Sequence, residues 1–142
     1  LEDWRADSAF TALHLSYLKR RYRQARYSVS LPRLRPAVGG YNPACPIDDK
    51  GMLQLILAFR LLDQHLEISL STRESEAFRN NVLTLGITSM SAGSHTEPGG
   101  YAEEHEELEQ FTINDSRSPE AFAQYLRSVG YEPVWKDWDG WL

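Results

Sequence analysis

Hydroxyl and guanidinium side chains are concentrated in three short segments of this sequence. These segments are 30–35 (SLPRLR), 69–74 (SLSTRE) and 89–94 (SMSAGS). An arginine can form a bidentate, charge-assisted pair with a carboxylate, and neighbouring hydroxyls can satisfy the remaining hydrogen-bonding atoms of the ligand. The residue types therefore predict a site for a small anionic or zwitterionic molecule.

Each of these segments also has a purely structural interpretation. Arg73 can pair with Glu74 or another acidic residue, and Arg33 and Arg35 can be loop charges that face solvent. The serines at 91–94 can form a tight turn as readily as they can present backbone amides to a ligand. Spacing alone leaves both interpretations open for every segment.

The elements that would position these residues alternate between helix and strand. An amphipathic helix is predicted from about Ala6 to Arg26, with an apolar face that carries Phe10, Leu13, Tyr17 and Leu18. A buried helix begins near Asp48 or Asp49, and a short one is capped by Ser71 or Thr72. Strands are predicted at 27–31, 66–70, 82–87 and 109–114. A last helix opens at Ser118-Pro119-Glu120 and ends at Gly130, before an aromatic tail.

This order of elements predicts an α/β fold with a parallel sheet, because strands that alternate with helices form right-handed βαβ connections. A TIM-type (β/α) barrel closes only with eight strands, and four are predicted here. We therefore expect the C-terminal part of a (β/α) barrel with a C-terminal extension, and a missing N-terminal half. Residues 1–94 would form the C-terminal half of the barrel, and residues 95–142 the extension that completes the barrel region. The alternative is a small open doubly wound sheet, but no GxGxxG motif follows a strand.

Composition narrows the classes of function. The chain has 142 residues and a formal net charge of −5, which fits one domain and argues against a nucleic-acid surface. The basic residues between Lys19 and Arg26 are interpreted as a solvated helix face rather than a site for an anionic partner. No apolar run approaches the ~20 residues that span a bilayer. Cys45 is the single cysteine and the four histidines lack metal-binding spacing, so we predict no metal site and a cytoplasmic location.

Several longer strings go beyond spacing. They are LEISLSTRES at 66–75, FRNN at 78–81, SAGS at 91–94, PGGY at 98–101 and LEQF at 108–111. Together with LPRLRP at 31–36 and VWKDWD at 134–139, they closely resemble the 2-iminoacetate synthases, which are radical S-adenosylmethionine (SAM) tyrosine lyases of anaerobic thiamine biosynthesis. The resemblance covers nearly the whole chain.

The resemblance implies a specific reaction. A reduced 4Fe–4S cluster cleaves SAM to a 5′-deoxyadenosyl radical, which abstracts hydrogen from L-tyrosine. The Cα–Cβ bond of tyrosine then breaks to give p-cresol and 2-iminoacetate (dehydroglycine), which passes to thiazole synthase. In that family a CxxxCxxC motif in the N-terminal half of the barrel holds the cluster. This chain has no such motif, so we expect it to be inactive alone.

The resemblance also implies a substrate- and SAM-binding set at the strand ends, formed by Ser30, Arg33, Ser71, Thr72, Arg73 and Ser91. Ser71, Thr72 and Arg73 would face the tyrosine carboxylate or the amino-acid part of SAM. No catalytic residue is assigned. One alternative is the related tyrosine lyase of hydrogenase cofactor maturation, which carries a cysteine-rich C-terminal segment, whereas no cysteine follows Glu109 here. The other is a non-catalytic interaction module.

Overall fold

A computed structural model describes residues 3–34, 44–95 and 113–135. Its helices are α1 (Trp4–Arg21), α2 (Asp49–Leu62), α3 (Glu76–Val82) and α4 (Pro119–Ser128). Its strands are β1 (Ser28–Ser30), β2 (Glu67–Leu70) and β3 (Ser89–Met90). Among the helices of these three ranges, none combines the length and the apolar character that crossing a membrane requires.

The strands form a parallel sheet in the order β1-β2-β3. Ser30 is paired with Ser69 across β1 and β2, and Ser69 is paired with Ser89 across β2 and β3. Helices connect β1 to β2 and β2 to β3, which is the βαβ arrangement that parallel pairing requires. The prediction of a parallel α/β sheet is thereby confirmed.

One face of the sheet is covered by helices and holds the hydrophobic core. Met52 and Ile56 of α2 pack with Leu70 and with two apolar residues of α3, Phe78 and Val82. A second cluster joins Leu15 of α1 and Phe59 of α2 to Leu66 and Ile68. The predicted burial of α2 holds for this face alone, because Leu61 on its opposite side is 88% exposed.

The other face of the sheet is polar. Side chains alternate between the faces of a strand, so Ser30, Ser69 and Ser89 lie opposite the apolar residues Ile68 and Leu70. Their side of the sheet is half-buried or exposed, whereas parallel sheets are usually buried and apolar on both faces. This row of serines, in register across the strands, is therefore a surface suited to polar contacts.

The outer face of α1 differs from the sequence-based expectation. Phe10, Leu13 and Tyr17 form the apolar face that periodicity predicts, yet they are 72%, 66% and 55% exposed. Helix α1 contacts the core through Leu15 and Ala12 instead. The apolar pattern is real, but no described residue buries it.

Three predictions about the elements are wrong. The first helix, predicted to reach Arg26, ends at Arg21, and residues 22–26 form a turn and irregular chain. The apolar run 82–87 is not a strand: Val82 ends α3 inside the core, a turn follows, and the third strand is Ser89–Met90. The cap of α3 is Ser75, whose Oγ accepts a hydrogen bond from the Phe78 N–H at 3.2 Å, rather than Ser71 or Thr72. The predicted fourth strand lies mostly outside the described residues, and 113–114 are not in a strand.

Local capping signals are confirmed. Asp48 caps α2 by accepting a hydrogen bond from the Gly51 N–H at 2.7 Å, and Ser118 caps α4 ahead of Pro119. Gly130, with φ +87°, follows the last turn of α4. These signals depend on a few consecutive residues, so the sequence contains all of their information.

Gly93 supplies a test of the contact between the residues that follow β3 and the first residue of α4, Pro119. Its φ is +61°, and a Cβ atom there would lie 2.7 Å from Cδ and 2.9 Å from Cγ of Pro119. We expect Gly93→Ala to lower the free energy of unfolding by about 2–3 kcal/mol, from backbone strain and overpacking together. Urea unfolding of the parent chain and the variant measures this loss.

Gly130→Ala is the matched control, because Gly130 also has positive φ but no atom within 4 Å of the added methyl group. Its cost should be about 1 kcal/mol, from the backbone alone. Equal losses in the two variants would contradict the packing of residue 93 against Pro119.

Candidate functional site

The carboxyl ends of the three strands meet at one edge of the sheet, because the strands are parallel. At this edge the Thr72 N–H, just after β2, donates a hydrogen bond to Ser91 Oγ, just after β3, at 3.1 Å. The Arg73 N–H donates to Ser71 Oγ at 3.3 Å. The structure thus brings Ser71, Thr72, Arg73 and Ser91 together as a strand-end cluster.

Arg33 connects the end of β1 to the end of β2. Its side chain is only 5% exposed, and its Nε donates to Glu74 Oε2 at 2.8 Å while Nη2 donates to the same oxygen. Nη1 donates to Asp49 at 2.6 Å, and the guanidinium carbon lies 4.8 Å from the centre of the Phe78 ring. The interpretation of Arg33 as a solvent-facing loop charge is therefore wrong, since this arginine is a buried bridge between two loops.

The electrostatics of this bridge favour the charged form. Burial lowers the pKa of Arg33, but its hydrogen bonds with Glu74 and Asp49 and their negative charges outweigh burial and raise the pKa above its ordinary value. Glu74 is 1% exposed. A buried carboxylate and a buried guanidinium compensate each other's desolvation only while both are present. The bridge therefore constrains the 30–33 loop and the 71–74 loop as one unit.

Arg79 forms a second bridge, from α3 to the end of β3. It is 1% exposed; its Nη1 donates to Asp115 Oδ2 at 2.6 Å, and its Nη2 donates to the carbonyl oxygen of Ser91. The guanidinium carbon lies 4.7 Å from the centre of the Phe122 ring of α4. Burial lowers the pKa of Arg79, yet an arginine stays protonated throughout the physiological range.

Asp115 is the acidic centre of this second bridge. Besides Arg79, it accepts from Arg117 Nε at 2.9 Å and from Arg117 Nη2 at 2.6 Å, and it is 2% exposed. Burial opposes ionisation of this carboxyl group, but the hydrogen bonds from Arg117 and the charges of both arginines outweigh burial and lower the pKa of Asp115. Asp115 is therefore a carboxylate at neutral pH.

The segment 113–115 is also bound to the strand-end cluster through the backbone. The carbonyl oxygen of Thr72 accepts hydrogen bonds from the N–H groups of Asn114 at 2.9 Å and Asp115 at 3.1 Å. The side-chain amide of Asn114 donates to the carbonyl oxygen of Arg73 at 2.7 Å. Two consecutive carbonyl groups of the cluster are thus held by one short segment.

The six residues predicted to bind substrate or SAM are all at this edge, with different environments. Thr72 is 2% exposed, Ser71, Arg73 and Ser91 are half-buried, and Ser30 is exposed. Ser30 and Arg33 line a cavity of about 240 Å³ that also borders Cys45. Whether any of the six contacts a ligand stays a prediction. Arg35 lies outside the described residues.

Sequence reasoning did not identify Asn114 or Asp115 as part of this site, and it treated Glu74 only as a partner for Arg73. Arg79 falls in the FRNN string but received no role. The one available signal was an arginine inside the apolar pattern of a short helix, beside Phe78 and Val82, since a charged residue on a buried face needs a partner. The identity of that partner, Asp115, has no local signature.

The described residues do not fit an iron–sulfur cluster. Cys45 is the only cysteine of the chain, and no group of three or more His, Cys, Asp or Glu side chains in 3–34, 44–95 and 113–135 is placed to hold a metal ion. What the edge offers is arginine charge, hydroxyl groups and fixed backbone. Such an arrangement can bind and orient a small polar molecule.

Asp115→Asn tests the second bridge. Removing the charge leaves two arginines without their shared carboxylate, so we expect the free energy of unfolding to fall by about 3 kcal/mol at pH 7. Because the folded state lowers the pKa of Asp115, this stabilisation is present above the unfolded value of about 3.9 and is lost as pH falls through the folded value. The difference between parent and variant, measured by urea unfolding, should therefore narrow below about pH 4.

Glu120→Gln, on the exposed side of α4, is the control. It should lower the free energy of unfolding by less than about 1 kcal/mol, both at pH 7 and below about pH 4. A difference between parent and Asp115→Asn that stays constant down to pH 3 would contradict the assignment of Asp115 as the charged centre.

Comparison with characterised proteins agrees with the resemblance seen in the sequence. The 2-iminoacetate synthase of Salmonella typhimurium is 53% identical over 99% of this chain, and that of Escherichia coli is 54% identical over 99%. The chain spans only 37% of the length of either relative. The predicted similarity to 2-iminoacetate synthases is confirmed.

Two solved structures have a fold similar to that of this chain. HydG, a maturase of the FeFe-hydrogenase, matches with a TM-score of 0.84 and 33% identity, over 95% of this chain and 30% of HydG. HydG from Carboxydothermus hydrogenoformans matches with a TM-score of 0.73 and 32% identity, over 85% of this chain and 28% of HydG. Residues 30–132, which include the whole strand-end cluster, match the model of a defined family. The chain belongs to the Biotin and Thiamin Synthesis associated domain family.

Proposed function

We propose that this chain is the substrate-binding, C-terminal part of a 2-iminoacetate synthase. That enzyme would cleave the Cα–Cβ bond of L-tyrosine with a 5′-deoxyadenosyl radical and give 2-iminoacetate and p-cresol for thiazole and thiamine biosynthesis. The observation that carries the proposal is the strand-end cluster: Arg73 with two hydroxyl neighbours, held by two buried arginine bridges, in a chain 53–54% identical to 2-iminoacetate synthases.

The function of Arg73 in this proposal is to bind a carboxylate. Its guanidinium would pair with the carboxylate of L-tyrosine or with that of the methionine part of SAM, and Ser71 would offer a hydroxyl beside it. The Thr72 N–H is already occupied by Ser91, so the backbone there supplies rigidity rather than a free donor. A ligand bound in this way is held in one orientation, which is what selective cleavage of one of its bonds requires.

The rest of a (β/α) barrel would cover the surfaces that this chain leaves open. No further strand of the described residues pairs with the outer edges of β1 and β3, and β3 borders a cavity of about 740 Å³ between the sheet and α4. The exposed apolar side chains of α1 offer a surface against which a neighbouring helix of the barrel would pack. The serine row would then face the interior of the barrel. In this proposal residues 1–94 belong to the barrel and 95–142 to its extension.

The cofactors of the proposed enzyme are SAM and a 4Fe–4S cluster, which together supply the radical. A cluster of this kind requires three thiolates, and Cys45 is the only cysteine here, so the cluster ligands would come from the rest of the enzyme. The roles left to this chain are to bind, orient and enclose the substrate. We place the enzyme in the cytoplasm, with thiazole synthase as the partner that receives 2-iminoacetate and without a nucleic-acid or membrane partner.

The second candidate is a tyrosine lyase of hydrogenase cofactor maturation. The TM-score of 0.84 to HydG favours it, because the backbone of this chain fits that maturase closely. The sequence favours the thiamine enzyme: identity is 53–54% to 2-iminoacetate synthases and 33% to HydG. Accumulation of 2-iminoacetate, or of its hydrolysis product glyoxylate, as the final product beside p-cresol would support the thiamine function.

Arg73→Lys tests the proposed function in the longer enzyme. A lysine keeps the positive charge but loses the planar, two-donor geometry, so we expect about a 10- to 100-fold loss of affinity for L-tyrosine or for SAM. Equilibrium dialysis with each labelled ligand separates the two. Arg127→Lys, at an exposed position of α4, is the matched control and should bind both ligands normally.

If Arg73→Lys binds L-tyrosine and SAM as tightly as the parent enzyme, Arg73 contacts neither ligand. The assignment of the strand-end cluster as a binding site would then be wrong, and a non-catalytic interaction module would become the better description of this chain.

A further inference from the structure

We propose that Asn114 is a positioning residue that sets the direction of the Arg73 side chain toward its carboxylate ligand. This inference rests on the proposed function, because it concerns how the same site is held. It assigns a role to a residue that neither the strand-end hydroxyls nor the shared sequence strings single out.

The geometry points to Arg73 as the target of Asn114. The Asn114 N–H donates to the Thr72 carbonyl at 2.9 Å, and the Asn114 side-chain amide donates to the Arg73 carbonyl at 2.7 Å. One residue therefore fixes the peptide planes on both sides of the Arg73 Cα atom. The rotation of those planes determines the direction in which the Arg73 side chain leaves the backbone.

Asn114 is itself held in place by its neighbour. The Asp115 N–H also donates to the Thr72 carbonyl, at 3.1 Å, and the Asp115 carboxylate is paired with the buried Arg79 and with Arg117. Arg79 also holds the carbonyl of Ser91, so the same network sets the end of β3. The buried Asp115–Arg79 pair thus fixes the position of Asn114, and Asn114 in turn fixes the loop that carries Arg73.

The exposure of Asn114 separates this role from a role in stability. Asn114 is exposed and its amide makes its bond at the surface, where the exchange of a protein partner for water costs little. A small displacement of Arg73, by contrast, is amplified along a long side chain. Misplacement of a ligand-binding group by about 1 Å can cost on the order of 100-fold in activity.

The test is a double-mutant cycle in the longer enzyme, with Kd for L-tyrosine and for SAM as the readouts. Asn114→Ala removes the amide donor and keeps the backbone N–H, and we expect about a tenfold weaker Kd for the ligand that Arg73→Lys also weakens. The double variant should bind no more weakly than Arg73→Lys alone, because Asn114 acts through Arg73. The midpoint of urea unfolding should not change. Asn81→Ala, an exposed asparagine of α3, is the matched control.

Asn114→Leu, which has nearly the shape of asparagine without the donor, repeats the measurement if the alanine variant unfolds. Parent-like affinity in both Asn114 variants, or additive losses in the cycle, would overturn the positioning role while the proposed function stands. If Arg73→Lys itself leaves both affinities unchanged, the proposed function fails, and the role of Asn114 fails with it.

Discussion

Two buried arginine–carboxylate pairs at the carboxyl ends of the strands are the constraint on which the rest of this structure depends. Arg33 with Glu74 and Arg79 with Asp115 each place a guanidinium at 5% exposure or less beside a carboxylate at 2% or less. Pairs of this kind contribute little net stability compared with apolar residues, but each becomes strongly destabilising when one partner is lost. Their consequence here is geometric, because together they join the ends of all three strands.

The arrangement of the candidate site follows from that constraint. The 71–73 loop lies between the two bridges, with Glu74 in the first and the Thr72 carbonyl bound by the residues next to the second. The loop therefore has little freedom to rearrange before a ligand arrives. Pre-organisation of this kind lowers the cost of binding a small polar ligand, because less conformational freedom is lost when the ligand binds. The serine row and the exposed apolar face of α1 are surfaces that the described residues leave uncovered.

The sequence predicted the features that depend on neighbouring residues. The cap of α2 at Asp48 or Asp49, the cap of α4 at Ser118, the stop at Gly130 and the strand at 66–70 are such features. The structure has the first cap at Asp48 and the strand at 67–70. The run 82–87 was mistaken for a strand because short apolar runs do not distinguish strand from helix, and Val82 belongs to the helical core face. The outer face of α1 was predicted correctly as a pattern, but a pattern does not say which partner covers it.

The candidate site likewise contains residues that the sequence could identify and residue pairs that it could not. Ser71, Thr72, Arg73 and Ser91 could be named from residue type, position after a strand and the family resemblance. The bridges could not, because 41 residues separate Arg33 from Glu74 and 36 separate Arg79 from Asp115. Nothing in a single sequence pairs one distant arginine with one distant carboxylate. Folding brings them together, and only then does the environment of Arg73 become visible.

Hydrogen–deuterium exchange of the longer enzyme, with and without L-tyrosine and SAM, tests the central claim most directly. If the strand ends form the ligand site, amides of residues 70–74 and 114–115 should exchange more slowly when ligand is bound, while α4 is unaffected. Unchanged exchange at 70–74 and 114–115 under saturating ligand, with protection elsewhere in the enzyme, would contradict the account.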